Sequence, residues 1–78
     1  MNVQLFSLLA EELGEQVTVT VAMPATAATL KAALAAAYPA YAELIAQSVV
    51  AVDQDYATDE QQFTATAEVA LIPPVSGG

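Results

Sequence analysis

The order of apolar patterns in this 78-residue chain predicts an α+β fold of the β-grasp class: a mixed four- to five-stranded sheet with one main helix packed on it. Three observations carry the prediction. Two short apolar runs near the N-terminus alternate with the two-residue period of a sheet and lie close enough to pair as a hairpin. An alanine-rich segment of helical period follows. Further apolar runs come after it, and a right-handed crossover lets the last of them return parallel to the first.

Val3 to Leu8 (VQLFSL) reads as the first strand, with Val3 and Leu5 on one face. LAEELG makes one or two helical turns and stops at Gly14. QVTVTVA has the cleanest alternation in the chain, Val17, Val19 and Val21 pointing one way and Thr18 and Thr20 the other. In MPATAATLKAALAAAYP, Thr26 is placed to cap the main helix with its hydroxyl. Ala27, Leu30, Leu34 and Ala37 form a narrow apolar stripe, and Pro39 ends or kinks the helix. YAELIAQ suits a short second helical piece. SVVAVD is a strand, Asp53-Gln54-Asp55 a turn, and Tyr56 starts a short return. Glu68 to Ile72 is the last strand, ended by Pro73 and Pro74, neither of which donates a ladder hydrogen bond.

This order, β-β-α-β-(β)-β, describes the ubiquitin-like β-grasp. A ferredoxin-like α+β fold is the alternative, but it needs a second full helix and YAELIAQ is short for that. The chain divides into a folded domain over residues 1–72 and an extended tail over 73–78.

Composition removes several chemistries. Without cysteine or histidine the chain has no thiolate nucleophile, no Ser-His or Cys-His catalysis and no zinc ligands of those types, and no metal site is expected. The spacing of Asp53, Asp55 and Asp59 lacks the glycine and closing glutamate of a calcium-binding loop. The formal charge is −8, with Lys31 as the one basic side chain. Such a surface repels a phosphate backbone and an anionic membrane alike, so neither nucleic acid nor membrane is an expected partner. A basic protein surface is. No apolar run spans a bilayer and no signal-peptide pattern opens the chain, so a cytoplasmic protein is expected. Glu11, Glu12 and Glu15 read as a solvated acidic face, and Lys31 as a solvent-facing helix position.

The chemistry gathers at IPPVSGG. Leu71 and Ile72 anchor the chain in the sheet, and Pro73-Pro74 projects it away in extended form. Val75 to Gly78 then reach roughly 13 Å, at about 3.3 Å per residue. Gly77 and Gly78 carry no side chain and fit a channel too narrow for other residues. The group delivered is a carboxylate, which an ATP-dependent partner can convert to an acyl-adenylate open to attack by an amine, thiol or persulfide.

EVALIPPVSGG resembles the C-terminus of the small, sulfur-carrier subunit of molybdopterin synthase, a ubiquitin-like family ending in P-P-V-[ST]-G-G. VQLFSLLAEELG resembles the family's N-terminal stretch more loosely, through Val3, Phe6, Leu9, Glu11 and Gly14. The resemblance implies that Gly78, with Gly77 before it, is adenylated by a ubiquitin-activating-type enzyme and converted to a thiocarboxylate by a sulfur donor. The tail would then enter the large subunit, as part of a heterotetramer, and give its sulfur to a cyclic pyranopterin. The large subunit would supply the catalytic residues. The chain would bind no cofactor itself, the ATP being used by the activating enzyme. Phe6, Tyr56 and Ile72 match positions of the family's partner-binding surface, and Pro73, Pro74, Val75 and Ser76 belong to the inserted tail. Three departures stand out: Asp53 replaces the usual asparagine, Ala10 replaces a usual arginine, and TATAE (Thr64 to Glu68) replaces an acidic, glycine-containing turn. Sulfur carriers of the thiamine or tRNA-thiolation type remain open alternatives, as do a protein-conjugating modifier and a plain interaction domain.

Overall fold

The structure, a computed structural model, describes residues 1–74. Its strands are β1 (Asn2–Leu5), β2 (Gln16–Thr18), β3 (Ala25–Thr26), β4 (Val49–Val52), β5 (Asp55–Tyr56), β6 (Gln62–Phe63) and β7 (Val69–Ile72). The helices are α1 (Ser7–Leu13), α2 (Ala27–Ala37) and α3 (Ala42–Gln47), with a 3-10 turn at Pro39–Tyr41. Five strands form one mixed sheet in the order β2-β1-β7-β4-β5, and β3 pairs with β6 in a separate two-stranded ribbon. The β-grasp is therefore present: an N-terminal hairpin, a crossover carrying the main helix, and a last strand inserted between β1 and β4.

The N-terminal hairpin follows the valine alternation. Val3 pairs antiparallel with Val17, and Met1 exchanges both backbone hydrogen bonds with Val19, at 2.7 and 2.9 Å. The register is used up at Met1, so Thr20 to Ala22 are not in the ladder although they continue the expected pattern. The first strand is shorter than its apolar run suggests. It ends at Leu5, because Ser7 adopts a left-handed conformation (φ 53°) that turns the chain into α1. Leu8, expected in the strand, is an exposed helical residue, while Leu9 is fully buried beneath it.

Helix α2 starts as its sequence indicates. Thr26 accepts a hydrogen bond from the Thr29 amide at 3.2 Å, and the Thr29 hydroxyl accepts one from the Thr26 amide at 2.8 Å. The two threonines thus cap each other reciprocally. Ala27, Leu30 and Leu34 are buried against the sheet. Ala37, the fourth residue of the expected stripe, is exposed, since the helix ends there and Tyr38 turns the chain into the 3-10 segment. The α3 segment inserts Ile45 into the core. Tyr41 donates to Glu12 Oε2 at 3.2 Å, tying the 3-10 turn to α1. That carboxylate, by accepting the proton's hydrogen bond and by its charge, holds the Tyr41 hydroxyl above the usual tyrosine range.

The core lies between the inner sheet face and the helices. Its centre is Val3, Leu9, Leu30, Leu34, Ile45, Val50 and Leu71, each almost or wholly inaccessible to solvent. Leu71 lies on the middle strand, flanked by Leu5 and Val50. Truncating it leaves a cavity that neighbouring strands cannot collapse to fill. Leu71→Ala is expected to cost about 2–5 kcal/mol, a large part of a small domain's stability. Urea unfolding checks this, and a cost below about 1 kcal/mol would contradict its central place.

Candidate functional site

The helices cover one face of the sheet, and the opposite face lies open. Alternation along the strands decides which side chains it carries. On β7, Val69 and Leu71 are buried while Ala70 and Ile72 point outward and are half-buried. On β4, Val50 and Val52 face the core; Val49 is 45% exposed. The register sets Ile72 beside Val49, and Ala51 between Ala70 and Tyr56. Tyr56, on the edge strand, is 75% exposed and Phe6, just past β1, is 45% exposed. Large apolar side chains left in water at this level, and clustered, mark a surface built for a partner.

Phe6, Tyr56 and Ile72, singled out from sequence, line one open groove of about 330 Å³, together with Ala51, Ala70 and the polar Gln4, Gln54 and Glu68. Their convergence has a structural cause. Strands β1 and β7 are parallel, with Leu5 opposite Leu71, so the residue after each lies at the same end of the sheet. Phe6 and Ile72 are those residues. The left-handed Ser7 then turns the backbone away, leaving Phe6 at the groove end instead of inside a longer strand.

Tyr56 is held by the β4–β5 turn. Asp53 and Gln54 both have positive φ, 51° and 72°, as a two-residue hairpin loop requires. Asp53 Oδ1 accepts from the Glu68 amide at 2.9 Å, and the Asp53 amide donates to the Glu68 carbonyl at 2.7 Å. This pair locks the turn to the start of β7. Aspartate tolerates the left-handed region as asparagine does, so Asp53 satisfies the backbone of this turn. The TATAE segment forms a turn without glycine, closed by the Ala67 amide donating to the Thr64 carbonyl at 3.1 Å.

β7 also ends here, followed by Pro73 and Pro74. Pro73 is buried and Pro74 exposed, so the inward alternation of Val69 and Leu71 continues through Pro73. Pro74 is thus the first exposed residue after β7. Val75, Ser76, Gly77 and Gly78, the chemically decisive residues of the sequence reading, lie outside the described residues. Val49 and Ala51 also belong to the face and were not singled out from sequence. The β4 run is apolar on both sides, so its pattern does not reveal which side is open.

The sequence profile of the ThiS family matches residues 3–78. No match is found among the curated proteins. Among solved structures, the crystal structure of SAMP1 from Haloferax volcanii superposes with a TM-score of 0.77 at 35% identity, covering 99% of this chain and 97% of that one. A second structure, of H. volcanii small archaeal modifier protein 1, gives 0.75 at 32% identity, covering 95% of each chain. Among the described residues, no helix is long and apolar enough to cross a membrane.

The turn supports a direct test. Gln54 carries a side chain in a conformation that disfavours one, at φ 72°. Gln54→Gly is expected to stabilise the domain by about 0.5–1 kcal/mol, the left-handed strain outweighing glycine's added chain entropy. A fall in the urea midpoint instead would show that the Gln54 side chain makes a contact worth more than that strain.

Proposed function

The chain belongs to the ThiS family of ubiquitin-like sulfur carriers, and from that premise we propose that it carries sulfur on its C-terminal glycine for molybdopterin synthesis. In this reading the Gly78 carboxylate attacks the α-phosphate of ATP on an activating enzyme and pyrophosphate leaves. A sulfur donor's persulfide then attacks the acyl carbon of the adenylate and AMP leaves; a second thiol attacks the donor's sulfur of the acyl disulfide, becoming joined to the donor as a disulfide and releasing the thiocarboxylate. The tail delivers that sulfur to a cyclic pyranopterin in a large subunit: the thiocarboxylate sulfur bonds to the pterin, water attacks the acyl carbon, the C–S bond to the chain breaks, and the chain returns to a carboxylate. Gly77 and Gly78 supply passage through a narrow channel, and the Pro-Pro pair sets the direction of approach.

The observation that carries this reading is that β7, the strand preceding Pro73 and Pro74, ends at the groove. The strand that ends in Pro-Pro-Val-Ser-Gly-Gly contributes Ile72 to the exposed apolar face and leaves the domain at that face's end. A partner that docks on Phe6, Tyr56 and Ile72 thereby receives the tail. The residues PPVSG G themselves favour molybdopterin over the thiamine and tRNA-thiolation alternatives. A second reading, a modifier joined through Gly78 to amines of other proteins, draws support from the likeness to proteins named small archaeal modifiers. Both readings share the adenylation step and the docking face.

Thiol labelling separates them. Incubated with activating enzyme, ATP and a sulfur source, then alkylated, the cysteine-free chain is expected to gain one adduct that vanishes when Gly78 is deleted. Absence of the adduct with active partners would sink the sulfur-carrier reading, and isopeptide-linked products in its place would favour the modifier. The docking face has its own test. Tyr56→Ala removes a mostly exposed ring, so the unfolding midpoint should barely move. The kcat/KM for adenylation is expected to fall about tenfold, the ring acting as an aromatic anchor at the interface. An unchanged kcat/KM would remove Tyr56 from the interface.

A further inference from the structure

The one lysine of the sequence does not occupy the solvent-facing position expected of it. Lys31 is half-buried, its side chain 20% exposed. It reaches from α2 to the C-terminal end of α3, where Nζ donates to the Ala46 carbonyl at 3.3 Å and the Ser48 carbonyl at 3.1 Å. Asp59 Oδ1 lies 3.9 Å from the same atom. Three oxygen atoms therefore surround an ammonium that has three protons. Two of them are carbonyls at a helix end, where partial negative charge collects and a cation is favoured. The third, from a side chain 74% exposed, adds a weak and screened attraction.

An amine attacks an activated acyl group through its lone pair. The nitrogen bonds to the carbonyl carbon, AMP departs with its bonding electrons, and the nitrogen's proton passes to water. Lys31 must first lose a proton and turn away from acceptors that hold it. We propose that the fold sequesters Lys31 from acylation, so that a copy activated at its C-terminus is not captured by the lysine of another copy. The consequence rests on the activation described above, but the sequestration itself is a property of the folded chain alone.

The test uses the intact protein and an acylating reagent, N-acetoxysuccinimide, in limiting amount. An Ala65→Lys variant adds an internal reference amine at an exposed turn position. A glutamate-specific protease places the two lysines on separate peptides for quantification. Lys31 is expected to acetylate at least about tenfold more slowly than the introduced amine, the effect of one charge-assisted hydrogen bond that must break first. Urea should abolish the difference. Equal rates in the folded protein would overturn the proposal. In a parallel incubation with activating enzyme and ATP, a Lys31-linked dimer of the unmodified chain would also overturn it. If the enzyme activates neither protein, that tells against the proposed function, and the acetylation ratio still decides the sequestration.

Discussion

The parallel pairing of β1 with β7 is the constraint on which the rest of the structure depends. It joins the two ends of the domain at its centre, Val3 beside Val69 and Leu5 beside Leu71. Everything between must form a crossover, and α2 supplies it by burying Ala27, Leu30 and Leu34 on the inner face. The same pairing orders the outer face. Two strands running the same way end together, so Phe6 and Ile72 emerge side by side, with Pro73 following next to both. An antiparallel pairing of these strands would put the end of β7 at one end of the sheet and Phe6 at the other. The site is thus a consequence of topology before it is one of side-chain chemistry.

Much of this was legible in the sequence, for physical reasons that also mark where legibility stopped. Alternation at Val17 and Val19 and helical spacing at Leu30 and Leu34 directly express burial. Thr26 signals its cap through its type and position. Its reciprocal partner Thr29 does not, because the usual sign is a glutamate or glutamine. The β3–β6 ribbon has two residues on each side, too few to carry a period. Ser7 and Gln54 hold left-handed backbone without the glycine that would announce it. Lys31 is the sharpest case: its neighbours Ala46, Ser48 and Asp59 are 15 to 28 positions away, so nothing local distinguishes it from a solvated helix residue. Of the site, Phe6, Tyr56 and Ile72 were reached through resemblance, and their convergence became physical only with the register of the sheet.

The charge distribution complements the apolar face. A net charge of −8 on so small a chain makes two copies repel at long range. An exposed cluster of Phe6, Val49, Tyr56 and Ile72 would otherwise invite self-association. Acidic repulsion suppresses that route while leaving the face attractive to a basic partner, whose approach the same field accelerates. Apolar area then supplies holding strength, and charge supplies selection among partners.

The poverty of this chain's reactive groups fits a molecule whose reactive end is made by another enzyme. A carboxylate is inert until activated, and once activated it acylates whatever nucleophile is nearest. Cysteine and histidine are missing from the sequence, which removes the two side chains that react fastest with such a group near neutral pH. Lysine is reduced to one, and that one is bonded to two backbone carbonyls. The fold uses its single cation to bridge α2 and α3, and in the same contact withholds its amine. Structural economy and chemical restraint are here one interaction. On the proposed reading, the nucleophiles that remain in the chain are few, and the one lysine is occupied within the fold.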